Sequence, residues 1–235
     1  MLLIGFGNRA RHGKDTVVEA ILDHYADQNH AIRKGYGNGA PQTRVWAFKY
    51  ATALYKEVAD YIGSEGGPVS CFAKIARAEA FLPTPYGKIM IPTWVTMGDP
   101  TPSNGLTAPA PYGKHPKLLQ FWGTEYRRKE FGENYWVDRM FASIPANLDI
   151  ALISDVRFPN EADGIKQRGG YTVNVTRLRE DGTPYRSSDR PVDHPSETAL
   201  DDYNWQFRLS NPEGHQAWLE EQAITLVEYL RGIHQ

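Results

Sequence analysis

The 235-residue sequence predicts a three-layer α/β fold, with a mostly parallel central sheet and one long irregular insertion. Three observations carry this expectation. Short apolar runs alternate with stretches of helical periodicity from end to end. Ile150-Ala-Leu-Ile-Ser154 is a continuous apolar run of strand length, as in the buried centre of a parallel sheet. The first apolar run passes through Gly13-Lys14-Asp15-Thr16 directly into an amphipathic helix, the strand–turn–helix opening of such folds.

The elements follow in order. After the N-terminal strand, Val17, Val18, Ile21, Leu22 and Tyr25 give the first helix an inward face, and residues 30–43 read as loop. Residues 44–48 form a second strand, and Ala51, Leu54, Tyr55, Val58, Ala59 and Ile62 form a second amphipathic helix. Residues 83–116 hold eight of the sixteen prolines and break this rhythm, so they read as an insertion, either an ordered flap or a surface excursion. Helical spacing returns from Lys117 to near Gly132, with Leu118, Leu119, Trp122 and Tyr126 on one stripe. Asn134 is placed to cap a helix carrying Trp136, Val137, Met140, Phe141 and Ile144, which Pro145 ends. Beyond the central strand, a short helix after Pro159 stops at Gly169-Gly170, and residues 171–176 form another strand. Asn211-Pro212 reads as a cap followed by proline at the first helical position, opening a last helix lined by Leu219, Ala223, Leu226, Val227 and Leu230. Residues 1–235 are thus expected to form a single domain with its insertion at about 83–116.

Composition narrows the function. With 41% hydrophobic and 23% charged residues, the chain has the make-up of an ordinary globular protein. A net charge of -2 argues against a broad electrostatic grip on nucleic acid, so stable nucleic-acid binding is not expected. Cys71 is the single cysteine, which excludes an intrachain disulfide and fits a small, buried or half-buried apolar residue. No run is long enough for a membrane span, and the N-terminal stretch lacks signal-peptide form, which places the protein in the cytoplasm. The seven histidines show no metal-ligand spacing, so no zinc site is expected.

The turn Asn8-Arg-Ala-Arg-His-Gly-Lys-Asp15 departs from G-x-x-x-x-G-K-[ST] at its first glycine and at its magnesium-binding hydroxyl. Both departures are physically tolerable. Asparagine accepts positive φ better than other non-glycine residues, and Thr16 supplies a hydroxyl one position later. Loop N–H groups, the helix N-terminus and a lysine converging on one spot favour polyphosphate, and Lys14 is expected to face that anion in solvent-accessible space. Residues 5–10 also fit G-x-G-x-x-A, but the stretch 27–38 is polar and glycine-rich where a second hydrophobic strand is required. At the C-terminal end of the central strand, Asp155 is placed to hold Mg²⁺ or its water shell against phosphates. Arg157 and Glu161 follow over the same edge, as a phosphate fork with its orienting or sugar-binding partner, or as a structural ion pair.

Five blocks in order resemble the deoxynucleoside monophosphate kinases of tailed bacteriophages, which have a P-loop kinase fold. They are Arg9-Ala-Arg-His-Gly-Lys-Asp-Thr16, Leu118-Leu-Gln-Phe-Trp-Gly-Thr-Glu125, Tyr135-Trp-Val137, Ser154-Asp-Val-Arg-Phe-Pro-Asn-Glu161 and Asp193-His-Pro-Ser-Glu-Thr-Ala-Leu-Asp-Asp202. The resemblance implies transfer of the ATP γ-phosphoryl group to the 5′-phosphate of a deoxynucleoside monophosphate, with Mg²⁺, in the host cytoplasm. It implies that Arg11, Gly13, Lys14, Asp15 and Thr16 bind ATP, with Asp15 and Thr16 at its metal. Lys117, Gly123, Trp136, Asp155, Arg157 and Glu161 are implied at the acceptor nucleotide, and Lys14, Arg11, Asp155 and Arg157 in catalysis. A homodimer is implied as well. Asn8, His12 and the stretch Gly132-Glu133-Asn134 depart from the family pattern.

Other residues stay open to two readings. Arg186 and Arg190 are either a closing lid or a solvated basic loop, and His194 and Glu197 either form a flexible phosphate-side segment or, with Ser196 beside Glu197, simply begin a helix. Two rival functions are a kinase acting on a modified base in DNA, and a nucleotide-binding regulatory protein without turnover.

Overall fold

A computed structural model describes residues 1–33, 42–63, 81–84, 87–90, 121–186 and 195–234. The elements are β1 (Leu2–Gly7), α1 (Lys14–Arg33), β2 (Val45–Phe48), α2 (Tyr50–Gly63), β3 (Phe81–Thr84), β4 (Gly87–Met90) and α3 (Phe121–Arg128). They continue with α4 (Tyr135–Ala142), β5 (Ile150–Val156), α5 (Pro159–Gln167), β6 (Tyr171–Leu178), α6 (Pro195–Thr198), β7 (Phe207–Pro212) and α7 (Gln216–Ile233). The chain divides into two compact units, Met1–Tyr50 with Met140–Gln235, and Ala51–Arg139.

The first unit holds a five-stranded, all-parallel sheet in the order β2-β5-β1-β6-β7. The pleat of β1 sorts the layers. Leu2, Ile4 and Phe6 join Val17, Val18 and Ile21 of α1 and Leu219, Ala223, Val227 and Leu230 of α7 in one buried cluster. The alternate residues face the other way, where a Cβ on Gly5 would stand 2.2 Å from Cδ1 of Ile165 on α5. Helices therefore cover both faces, the three-layer α/β arrangement expected of strands buried on both sides.

Several expectations are corrected. Helix α1 runs on to Arg33, so the predicted loop at 30–43 begins later, and helix α4 stops at Ala142, short of Ile144. Asn211-Pro212 does not open the last helix. Both residues end β7, pairing with Arg177 and Leu178, and α7 starts at Gln216 with His215 as its N-cap. Proline is tolerated there because β7 is an edge strand.

In the second unit, β3 and β4 form an antiparallel hairpin that overlaps the start of the predicted irregular insertion; Pro83 sits in a two-stranded ribbon in which every strand is an edge. The rest of that insertion, Lys117, Cys71 and Arg190 lie outside the described residues. Helix α3 has π-type hydrogen bonding and continues through one α-helical turn at Lys129–Phe131, ending at Gly132 with φ +95°.

Glu57 on α2 is the buried hub of this unit. Its Oε1 accepts from Trp122 Nε1 at 3.0 Å and from Arg127 Nε, and its Oε2 accepts from the Tyr135 hydroxyl at 2.7 Å. The Arg127 guanidinium lies among the Trp122, Tyr126, Phe131 and Tyr135 rings, 4.6–5.8 Å from their centroids, so aromatic faces and a carboxylate together replace its water.

Candidate functional site

Register brings the sequence-predicted residues of the first unit together. Gly7 of β1 stands opposite Val156 of β5 and Asn174 of β6, and Phe48 of β2 stands opposite Ile153. All strands run the same way, so residues 8–14, 49–50, 155–157 and 174–176 emerge along one C-terminal sheet edge, where open α/β sheets bind ligands.

The 8–13 loop turns on three residues in the left-handed region: Asn8 (φ 110°), Arg11 (φ 59°) and Gly13 (φ 99°). Asn8 carries this conformation as expected of asparagine, with its Nδ2 facing Asn174 Oδ1 at 3.2 Å, the Val175 carbonyl at 3.1 Å and Thr176 Oγ1 at 2.9 Å. At Gly13 an added Cβ would lie 2.8 Å from Leu219 and 2.9 Å from Asn211, so crowding and φ both require glycine. Val17 N donates to the Gly13 carbonyl at 2.9 Å, which makes Lys14 and Asp15 first-turn residues of α1.

Lys14 departs from the sequence expectation of a solvent-facing side chain: it is only 6% exposed. Its Nζ donates to the carbonyls of Arg9 at 2.5 Å and Asn8 at 3.1 Å, folding the ammonium back under the loop. Burial, reinforced by the like charge of Arg157, pulls the Lys14 ammonium down to about 7, while Asp15, Glu197 and Asp155 pull it up. His12 is also buried. Its Nδ1 accepts from Arg177 N at 3.2 Å and its Nε2 faces the Tyr185 carbonyl at 2.9 Å, which assigns a neutral ring with the proton on Nε2. Burial is the chief cause that draws this imidazole down to about 4, with Lys14 and Arg9 adding to it.

Asp15 is exposed and accepts from Lys49 Nζ at 2.7 Å. Partial desolvation pushes its carboxyl up, but the Lys49 hydrogen bond and charge prevail and hold it below the ordinary range. Asp155 Oδ1 accepts from Tyr50 N at 2.8 Å. Glu161 is buried, and its Oε2 accepts from the backbone N of Arg157 at 2.7 Å and of Phe158 at 3.1 Å, so it caps α5 and fixes Arg157 through the main chain. The guanidinium of Arg157 instead meets Glu197, Nη1 to Oε1 at 3.1 Å.

Arg11 is exposed on the same loop and Thr16 is half-buried one position after Asp15. Among the described residues no three His, Cys, Asp or Glu side chains cluster as a metal cage. Mg²⁺ needs none when it sits on substrate phosphates, because it keeps several waters and takes one or two carboxylates. The oxygens of Asp15, Thr16 and Asp155 suit that requirement, and the buried Ser154 hydroxyl beside them also helps hold the Asp15 carboxyl low.

In the second unit, Trp136 is 3% exposed and its Nε1 donates to the Gly123 carbonyl at 2.9 Å. The two residues predicted at the acceptor are therefore bonded to each other, with the indole packed edge-on against Tyr135. Three participants had no part in the sequence reading: Lys49, Tyr50 and the Asn174–Thr176 pair. Lys49 and Tyr50 directly follow β2 beside β5, and Asn174 and Thr176 lie within β6 where it runs past the end of β1, a signal that becomes readable once the strand order is known.

No protein-family model matches the chain. Over 90 residues the chain is 33% identical to the deoxynucleoside-5'-monophosphate kinase of Escherichia phage T5, a stretch covering 36% of this chain and 34% of that protein. The chain thus matches about a third of that relative's length, a distant kinase-like relationship. No helix among the described residues is long and apolar enough to cross a membrane.

Proposed function

We propose that this chain is an ATP-dependent phosphotransferase that moves the γ-phosphoryl group of ATP to the 5′-phosphate of a deoxynucleoside monophosphate. The observation that carries this reading is the convergence of Lys14 and Arg157 at adjacent parallel strand ends, compensated by Asp155 and Glu197. Two cations at one sheet edge are electrostatically costly; the carboxylates offset them in part, and two phosphate groups supply the remaining anions.

An acceptor phosphate oxygen attacks the γ-phosphorus, the bond to the β,γ-bridging oxygen breaks, and ADP leaves with that oxygen and its charge. Such a transfer asks for alignment and charge neutralisation and for little covalent chemistry from the protein. In this reading Lys14, Arg11 and the Gly13 backbone hold the ATP phosphates, and their charge restores the Lys14 ammonium that burial has weakened. Asp15 and Thr16, with Asp155 nearby, would hold Mg²⁺, which would supply further charge neutralisation. Arg157, with Asp155, receives the acceptor phosphate, and Glu161 keeps Arg157 in place from behind. Trp136, buried and bonded to Gly123, contributes by fixing α3.

The test is a coupled assay of Mg²⁺-dependent ADP release across the four deoxynucleoside monophosphates, their ribose counterparts and modified duplex DNA. We expect turnover with at least one free deoxynucleotide, dTMP or dGMP being tried first, and no response to added DNA. Labelled phosphate in DNA without activity on any monophosphate transfers the assignment to a polymer kinase. ATP binding without any acceptor favours a regulatory protein.

A further inference from the structure

We propose that Glu197 is a positioning residue that ties Arg157 to the 8–13 loop and so keeps the arginine beside Lys14 before any anion arrives. What the two cations then act on rests on the phosphotransfer reading above; the tie itself does not.

Glu197 lies on the one-turn helix α6, far in sequence from both partners, and is 8% exposed. Its two oxygens are divided between them. Oε2 accepts from Ala10 N at 2.9 Å, and Oε1 accepts from Arg157 Nη1 at 3.1 Å. Four residues on, Asp201 takes Arg9 Nη2 at 2.5 Å, so one short segment grips two adjacent loop residues. That segment is itself anchored: Leu200 is buried, Lys166 Nζ donates to the Asn204 carbonyl at 2.6 Å, and the Tyr203 hydroxyl donates to Asp163 at 2.8 Å.

The electrostatics explain why a carboxylate stands here. Arg157 is the largest charged opponent of the Lys14 ammonium, and Glu197 is among the carboxylates that offset it. Without that offset the arginine and the lysine-bearing loop repel each other. A buried carboxylate is tolerable only when paired and hydrogen-bonded, and Glu197 meets both conditions through these two contacts. The sequence offers a phosphate-side reading of Glu197 but not these partners, because neither Ala10 nor Arg157 stands at any motif spacing from residue 197.

The experiment uses Glu197→Ala and Glu197→Gln, each alone and combined with Arg157→Lys, with two readouts. The first is hydrogen exchange at the Ala10 amide in the nucleotide-free protein, which needs no catalysis. Losing a charge-assisted bond should speed that exchange at least roughly tenfold in Glu197→Ala, and less in Glu197→Gln, whose amide oxygen still accepts. The second is kcat and KM for the acceptor. Glu197→Ala should lower kcat/KM in the otherwise native chain, regain part of it as Glu197→Gln, and change little further in the Arg157→Lys background. Unchanged Ala10 exchange overturns the proposal, and so do fully additive losses. Inactivity of the unmodified chain on every monophosphate sinks the phosphotransfer reading alone, and the exchange result still decides the tie. Should Glu197→Ala fail to fold, the near-isosteric Glu197→Gln carries both readouts.

Discussion

Lowering the pH from 7 to 5 should strike this fold at one identifiable point, His12. The ring is 1% exposed, and its Nδ1 is committed as the acceptor for Arg177 N, so protonation has to break that bond and place a charge beside Lys14. In the folded chain the imidazole titrates at about 4 against 6.5 in the open. Between those values the unfolded chain holds a proton that the native chain refuses. Stability therefore rises with pH across the window and is lost as pH falls from 6.5 toward 4. At 1.36 kcal/mol per pH unit the full window is worth about 3 kcal/mol, of which about 2 kcal/mol is already gone at pH 5. Equilibrium urea unfolding at pH 7 and pH 5, on the native chain and on His12→Asn, isolates this contribution from those of the other titrating groups. The native chain should lose about 2 kcal/mol more than the variant over that interval. A parallel decline in the two chains would show that His12 does not set this pH dependence, as would an imidazole NMR titration showing His12 protonated by pH 6.

Three further outcomes are expected. Glu57→Gln removes the carboxylate charge that balances the buried Arg127 guanidinium and should cost about 3 kcal/mol, read as earlier thermal unfolding and proteolysis within Ala51–Arg139. Gly7→Ala puts a methyl group 2.1 Å from Trp205 Cη2 and should cost ~1–3 kcal/mol, much of it recovered in combination with Trp205→Phe; full stability of the single variant contradicts this packing. Arg157→Lys keeps the charge but loses the planar fork, so turnover should fall by roughly tenfold or more with little change in melting temperature. Matching losses of activity and stability would mark Arg157 as a structural ion-pair partner.

The parts of this site that could be read from sequence share one property: their signal is local. Apolar periodicity marks β1, α1, β5 and α7, and polar residues at the ends of those elements, Lys14 and Asp155 among them, inherit their placement. Asn8 illustrates the strength of such reasoning, since its backbone preference alone anticipates φ 110°. Long-range placement was not readable. Glu197 lies 187 residues from Ala10, and only the docking of the 195–201 segment joins them. The burial of Lys14 has a different cause, a local one: the 8–13 loop folds over its own ammonium, a conformation that residue types alone do not specify. At Asn211-Pro212 a local signal misled: the dipeptide suits a helix start, but pairing with β6 extends the strand through it. Trp136 shows the reverse case, a large aromatic suited to stacking whose N–H is already given to Gly123.

If Lys14 and Arg157 bring two phosphate groups into line, the path of the γ-phosphate reveals it. ATP labelled at the γ-position should be incubated with Mg²⁺ and each deoxynucleoside monophosphate, using the native chain and Lys14→Ala, whose folding is verified by circular dichroism. The label is expected in a deoxynucleoside diphosphate with the native chain and to remain in ATP with the variant. Label transfer by folded Lys14→Ala at a near-native rate, or no labelled diphosphate from the native chain with any of the four acceptors, would contradict the account.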